Sequence, residues 1–307
     1  MDARARVSGR IVVGFDGSAG ARHALRWAAE EACLRAAVLE VVVAWRHHSH
    51  LGLADPSDDS SLGEHAAGLL EDARLEATRE RPGLEVEALA VRGDPAEVLC
   101  SEGAAADLVA VGSRGHSTLL GLLLGSVSSA CAHHCSTPVA IVPRRADVAD
   151  AAAGRIVVGV DGSAGSRRAL RWAADEAARR DATVLAVAVW RGVQPGEDMA
   201  LEYASLPSVR GHEREIAERT RRHLEESLSE LPSAVGRVSS VVLEGDPAET
   251  LCEQALDSDL LVVGSRGRGP VADLLGSVSA KCAHRSPRPV VIVPTERHAH
   301  LQHRHEP

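Results

Sequence analysis

The chain has 307 residues, of which 45% are hydrophobic, 25% charged and only 2% aromatic, and its formal net charge is −9. That length is a soft prior for two domains, each long enough to bury a core of Val, Leu, Ile and Ala. The negative balance argues against a nucleic-acid partner, which calls for a basic face, and against docking on anionic lipid. The opening MDARARVSGR runs into an apolar strand with no apolar leader between them, and no run of 18 apolar residues is present to span a membrane. The expected location is therefore the cytoplasm. Cys33, Cys100, Cys131, Cys135, Cys252 and Cys282 show neither a CxxC pair nor metal-finger spacing, so free thiols in a reducing compartment are expected.

In chain order, the first apolar runs are Ile11–Phe15, Val38–Trp45, Val86–Val91, Leu108–Val111 and Val139–Val142. They are rich in β-branched residues and apolar on both faces, the pattern of parallel strands covered by helices on each side. Between them lie amphipathic stretches. One, over residues 21–36, puts Ala24, Leu25, Ala28 and Ala32 on a single face; another, over 95–106, opens with Asp94 as cap and Pro95 at the first helical position. The polar segment after the second strand, with His47, His48, His50 and ADPSDDSS, predicts a mobile loop leading into a helix. The later runs, Ile156–Val160, Thr183–Trp190, Val238–Leu243, Leu260–Val263 and Val290–Val293, repeat the scheme, with GVQPGEDMALEY in the loop position.

The repetition is literal. RIVVGFDGSAG at 10–20 returns as RIVVGVDGSAG at 155–165, and LRWAA, GDPAE, GSRG and GSVS each recur in order. Trp27 matches Trp172, Trp45 matches Trp190, Cys100 matches Cys252 and Cys131 matches Cys282. A period near 150 residues is too long for a solenoid. The chain is a duplicated α/β domain: two doubly wound five-stranded parallel sheets in the order 3-2-1-4-5. The expected units are residues 8–145 and 154–295, followed by a His-rich, disordered tail over 296–307.

The chemistry concentrates after the fourth strand. GSRG (Gly112, Ser113, Arg114, Gly115) is followed by nine residues and then Gly125-Ser126. Glycines at a strand's carboxyl end let backbone approach a ligand, and a turn of free N–H groups makes an anion-binding concavity. The second GS opens a helix whose amides and dipole favour phosphate, with Ser126 and Ser128 as added hydroxyl donors. The first strand ends at the same crevice in Gly14-Phe15-Asp16-Gly17-Ser18, and the second copy ends in Gly159-Val160-Asp161.

GxxG-x9-GS after strand four, with VGxDGS after strand one, resembles the universal stress protein family, along nearly all of both halves. The tandem arrangement resembles the two-domain stress proteins of actinobacteria. The resemblance implies ATP at the strands' carboxyl ends, with Mg²⁺ as a candidate companion ion. It places Asp16 and Ala44 near adenine, Gly112 and Gly115 at ribose and phosphate, and Gly125, Ser126 and Val127 on the phosphates. The matching positions are Asp161, Val189, Gly264, Gly267, Gly276, Ser277 and Val278. It also implies that the halves pair along their fifth strands as a pseudo-dimer; a further homodimer stays open.

The second half departs from the motif. Only eight residues, RGPVADLL, separate GSRG from GS, and Pro270 lies among them. A missing residue shifts the GS amides by up to about 3.5 Å unless the loop absorbs it, so an impaired second site is expected. Asp16 and Asp161 read first as turn aspartates that cap local backbone. Arg114 and Arg266 stand between two readings, phosphate forks and solvated loop arginines. There is no P-loop lysine and no nucleophile–base–orienter set, so no catalytic residue is assigned. Three functions remain in play: a nucleotide-responsive regulatory module, a weak ATPase or nucleotidyl transferase, and a partner-binding protein without nucleotide. Histidines 298, 300, 303 and 305 read as a solvated end rather than a metal site.

Overall fold

A computed structural model describes residues 9–45, 56–115, 124–144, 154–192, 207–232, 237–267 and 275–295. The His-rich tail and the histidines at 47, 48 and 50 lie outside them. The first half runs β1 (Arg10–Gly14), α1 (Ala19–Arg35), β2 (Val38–Trp45), α2 (Pro56–Glu80), β3 (Val86–Arg92), α3 (Pro95–Gly103), β4 (Leu108–Gly112), α4 (Ser126–His134) and β5 (Val139–Val142). The second runs β6 (Arg155–Gly159), α5 (Ala164–Arg180), β7 (Thr183–Trp190), α6 (Pro207–Ser229), β8 (Val238–Glu244), α7 (Pro247–Gln254), β9 (Leu260–Gly264), α8 (Ser277–Arg285) and β10 (Val290–Val293).

Local chemistry sets the helix boundaries. The Ser18 hydroxyl accepts the Ala21 N–H at 3.1 Å to start α1, and Ser163 accepts from Ser166 at 3.2 Å to start α5. Asp94 takes the Ala96 amide at 3.0 Å ahead of Pro95, and Asp246 takes the Ala248 amide at 3.0 Å ahead of Pro247. Helix α2 begins earlier than expected, because the PSDDSS stretch forms its first turns rather than loop. Pro at the first position and Asp near the start suit a helix N-terminus.

The strands form one sheet, ordered β3-β2-β1-β4-β5-β10-β9-β6-β7-β8. Each half has the expected 3-2-1-4-5 order with parallel pairing throughout, and the two fifth strands join antiparallel, Ile141 opposite Val290 and Val139 opposite Ile292. Both strands are buried along their whole length. Left unpaired, each would be an apolar edge with open backbone donors; pairing removes both edges and fuses two sheets into one. The outer strands correct the expectation of burial on both faces. β3 and β8 carry exposed residues along much of their length, because they form the two ends of the sheet.

Two apolar layers flank the sheet. One packs β-strand residues such as Ile11, Val13, Ile156 and Val158 against α1, α2, α5 and α6. The other packs Val12, Val109, Val157 and Leu261 against α3, α4, α7 and α8. Where α1 meets α5, four charges are buried together. Arg35 reaches Glu176 at 2.6 Å and Glu31 at 3.5 Å, while Arg180 bonds Glu176 at 2.7 Å and also pairs with Glu31. Glu31 and Glu176 are each one turn before an arginine, so the repeat writes this Glu–Arg pair twice and the two pairs cross at the seam.

The cysteines differ from the expectation of six free thiols. Cys100 and Cys135 form a disulfide, with Cα atoms 4.7 Å apart, joining α3 to the residue after α4. Spacing in sequence carries no sign of this pair, because packing of two helices creates it. Cys33, Cys131, Cys252 and Cys282 are free.

Candidate functional site

Each half opens a cleft at the carboxyl end of its first and fourth strands. In the first, Gly14, Asp16, Ala44, Gly112, Arg114, Gly115, Gly125, Ser126, Val127 and Ser128 line a cavity of about 310 Å³. In the second, Gly159, Asp161, Val189, Gly264, Arg266, Gly267, Gly276, Ser277, Val278 and Ser279 line one of about 480 Å³. Both volumes fall within the range of small-molecule sites. The residues selected from sequence thus converge, except Ser113, which lies behind the cavity wall as a strut.

That strut closes the cleft. The Ser113 carbonyl accepts the Gly125 N–H at 2.8 Å, and the Ser265 carbonyl accepts the Gly276 N–H at the same 2.8 Å. The eight-residue connection therefore delivers its GS to the same place as the nine-residue one. The expected displacement of the second site's Gly276 amide does not occur.

Glycine is required at two points by close approach. A Cβ on Gly112 would lie 2.6 Å from the Gly20 carbonyl carbon, and one on Gly264 would lie 2.7 Å from that of Gly165. A Cβ on Gly115 or Gly267 would sit 2.6 Å from the Asp16 or Asp161 Oδ2. These contacts draw the GSRG turn against the first-strand turn. Asp16 and Asp161 are turn residues as read: each Oδ1 accepts the N–H two residues on, at 2.9 Å.

Helices α4 and α8 differ from the other capped helices. Gly125 and Gly276 supply their caps, and no side chain bonds the first-turn amides, whereas Ser18, Asp94, Ser163 and Asp246 cap theirs with oxygen. The amides of Ser126–Ser128 and Ser277–Ser279 are thus left to whatever enters the cleft, at the positive end of the helix dipole. One expected donor is spent elsewhere. The Ser128 hydroxyl donates to the carbonyls of Gly125 at 3.0 Å and Ser113 at 3.3 Å, and the Ser279 hydroxyl donates to Gly264 at 2.6 Å. These serines brace the cradle instead of offering hydroxyls to a ligand.

The opposite wall is apolar. Val42, Leu99 and Val111 face Val127 across the first cleft, as Val187, Leu251, Val263 and Val278 do across the second. Pro95, Leu99, Pro247 and Leu251 were not assigned from sequence, although GDPAE recurs in both halves; the signal was read only as a cap. Alternation along β2 and β7 puts Ala44 and Val189 into the clefts and turns Trp45 and Trp190 to the other face of the sheet. Trp45 packs there against the α1–α2 layer.

The halves also touch at a site. His133, near the end of α4, accepts the Leu275 N–H through Nδ1 at 3.2 Å, and Leu275 lines the second cleft next to Gly276. Helix α4 therefore begins in one cleft and ends at the other.

The family model described as "Universal stress protein family" matches residues 8–143 and again 153–294. A universal stress protein of Mycolicibacterium smegmatis is 32% identical over 92% of this chain and 96% of its own length. One from Mycobacterium tuberculosis is 33% identical over 92% and 95% respectively. Among solved structures, a universal stress protein from Archaeoglobus fulgidus superposes with a TM-score of 0.66 at 21% identity, covering 93% of this chain and 98% of that one; the likeness is one of fold. Among the described residues, no helix is long and apolar enough to cross a membrane.

Proposed function

The chain belongs to the universal stress protein family, and from that premise we propose that it is a cytoplasmic regulatory module that binds an adenine nucleotide, ATP in the first instance, in each of its two clefts. One observation carries the reading. In both halves a glycine-capped helix presents its unpaired first-turn amides to a cavity whose other wall is apolar. That pairing suits a ligand with a phosphate chain at one end and a flat apolar ring at the other. Phosphates would lie at Ser126–Ser128 and Ser277–Ser279, and the base between Ala44 and Leu99, or between Val189 and Leu251. Mg²⁺ would accompany the phosphates.

The regulatory part rests on α4. Phosphate bound at its N-terminus bears on a helix whose His133 supports Leu275 of the other cleft, so occupancy of one site has a physical route to the second. The matching Gly125 and Gly276 closures remove the ground for ranking the second site below the first.

The test is direct. The purified full chain is denatured, released nucleotide is identified by mass spectrometry, and ATP binding to the emptied protein is measured by calorimetry. Ser126→Pro and Ser277→Pro each delete one cradle N–H at the first helical position, where proline is tolerated. The preceding Gly125, at φ −64° and ψ 151°, already has the extended backbone a proline demands of its neighbour. Each variant is expected to weaken its own site about 10- to 100-fold, as loss of one bond to a charged group implies. Absence of any adenine nucleotide together with absence of calorimetric binding refutes the proposal and leaves the partner-binding reading. Phosphate release that survives in the double variant refutes it in favour of an enzyme acting elsewhere.

A further inference from the structure

The repeat is broken in one chemically specific place. Cys100 and Cys131 have the counterparts Cys252 and Cys282, but Cys135 falls on Ser286. In the second half that serine hydroxyl donates to the Arg288 carbonyl at 2.9 Å and accepts the Arg288 N–H at 3.1 Å, closing a turn. In the first half the same position brings a third sulfur to the other two. The Sγ atoms of Cys100, Cys131 and Cys135 all lie within 4.8 Å of one another. Cys131 and Cys135 are one helical turn apart at the end of α4, and Cys100 meets them from α3. Cys131 is fully buried and Cys135 is 6% exposed.

We propose that these three sulfurs, once reduced, form a binding site for one thiophilic divalent cation of the Zn²⁺ class, and that the Cys100–Cys135 disulfide is the oxidised, metal-free form of the same site. Thiolates select Zn²⁺ over hard cations. Zn–S bonds of about 2.3 Å in tetrahedral geometry place sulfurs about 3.8 Å apart, so once the Cys100–Cys135 bond is reduced those two sulfurs have to separate to that spacing, while the others close by about 1 Å at most from the 4.8 Å limit. Charge favours a divalent ion: three thiolates and Zn²⁺ leave a single negative charge in an apolar layer. Cys135 also lines a cavity of about 190 Å³ with His133, Ser136 and Arg168, which has room for a water as fourth ligand.

The chemistry balances in two steps. A dithiol reductant supplies two electrons and two protons, the Cys100–Cys135 S–S bond breaks to two thiols, and the reductant leaves as its disulfide. Three Zn–S bonds then form, and three S–H protons pass to solvent.

The test uses the full chain, anaerobic and reduced with a phosphine, titrated with Co²⁺ and then Zn²⁺. Sulfur-to-cobalt charge-transfer absorption reports thiolate ligation and is blind to the histidines of the C-terminal tail. The expected result is one equivalent of the charge-transfer species per chain, bleached by Zn²⁺ and absent from oxidised protein. Cys135→Ser, which copies the second half, should abolish it. Cys100→Ser gives the same readout should the first variant fail to fold, and the comparison of oxidised with reduced wild type needs no variant. No charge-transfer band in reduced wild type overturns the proposal, as does an equal band in a folded Cys135→Ser protein.

Discussion

Glu176→Ala would test how the two halves are held together. The Glu176 carboxylate is fully buried and bonds Arg35 at 2.6 Å and Arg180 at 2.7 Å, whose side chains are only 8% and 16% exposed. Its removal takes a 3.6 Å partner from the half-exposed Arg179 and leaves the buried Arg35 and Arg180 with Glu31 to balance them, and breaking a buried pair from one side costs about 3–5 kcal/mol. A chain of this length unfolds with an entropy of about 0.6 kcal/mol per degree. If the ten-stranded sheet melts as one unit, the transition should fall by about 5–8 °C in differential scanning calorimetry. Glu218→Ala supplies the control, because its partner Arg221 lies on the surface with both side chains more than half exposed; there the loss should stay below about 1 kcal/mol. Replacing all four charges by Leu and Met should restore most of the stability, since an apolar quartet has no desolvation to recover. A Glu176→Ala shift no larger than that of Glu218→Ala would refute the claim that the quartet is a buried, mutually dependent unit.

Gly112→Ala and Gly264→Ala should each destabilise by about 1–3 kcal/mol, because the new methyl meets backbone at 2.6–2.7 Å and must push α1 or α5 off its strand; equilibrium denaturation checks this, and two neutral substitutions would contradict the close approach. Iodoacetamide near neutral pH should modify exposed Cys33 and spare the buried Cys131 and Cys282. Burial lifts Cys131, while a hydrogen bond with Cys252, then burial, lifts Cys282. Peptide mapping decides, and labelling of Cys131 at the rate of Cys33 is the adverse result. Asp246→Ala should cost about 1 kcal/mol through loss of the α7 cap. Burial pushes that carboxyl up, but the Glu249 and Ala248 amides with Arg191 and Lys281 hold it below its ordinary 3.8. The stabilisation is therefore present above the ordinary value and lost as pH falls through the lower folded one. The wild-type advantage in melting temperature should shrink between neutral pH and about pH 3; an advantage that grows on acidification would reverse the sign.

The strands and helix starts were legible because each is local, whereas the 3-2-1-4-5 order and the convergence of GSRG, GS and the first-strand turn join residues about 100 apart and were legible only through the family resemblance and the rules of parallel-sheet topology. Apolar runs set strands, serine and aspartate caps set helix starts, and a parallel sheet with right-handed crossovers leaves few arrangements. The aspartate turns and the two glycine pairs followed from the same short-range chemistry. Pro95, Leu99 and their counterparts were missed as cleft wall because α3 reaches the site only by packing over β1. The Ser128 hydroxyl was misjudged as a ligand donor because a serine's donor can turn inward as readily as outward, and here the Gly125 and Ser113 carbonyls take it.

Length was the least reliable guide. One residue fewer before Gly276 suggested a damaged site, yet the Ser265 carbonyl holds that glycine at the distance Ser113 holds Gly125. The sequence alone determined a duplicated α/β domain of the universal stress protein type and the glycine-rich side of its clefts, since those rest on motifs contiguous in the chain. Tertiary structure alone decided that β5 and β10 make one sheet of two, that Glu31, Arg35, Glu176 and Arg180 meet, and that Cys100 finds Cys135. Each of those contacts joins residues far apart in the chain, and no local pattern encodes which distant surface a strand edge, a charge or a thiol will meet.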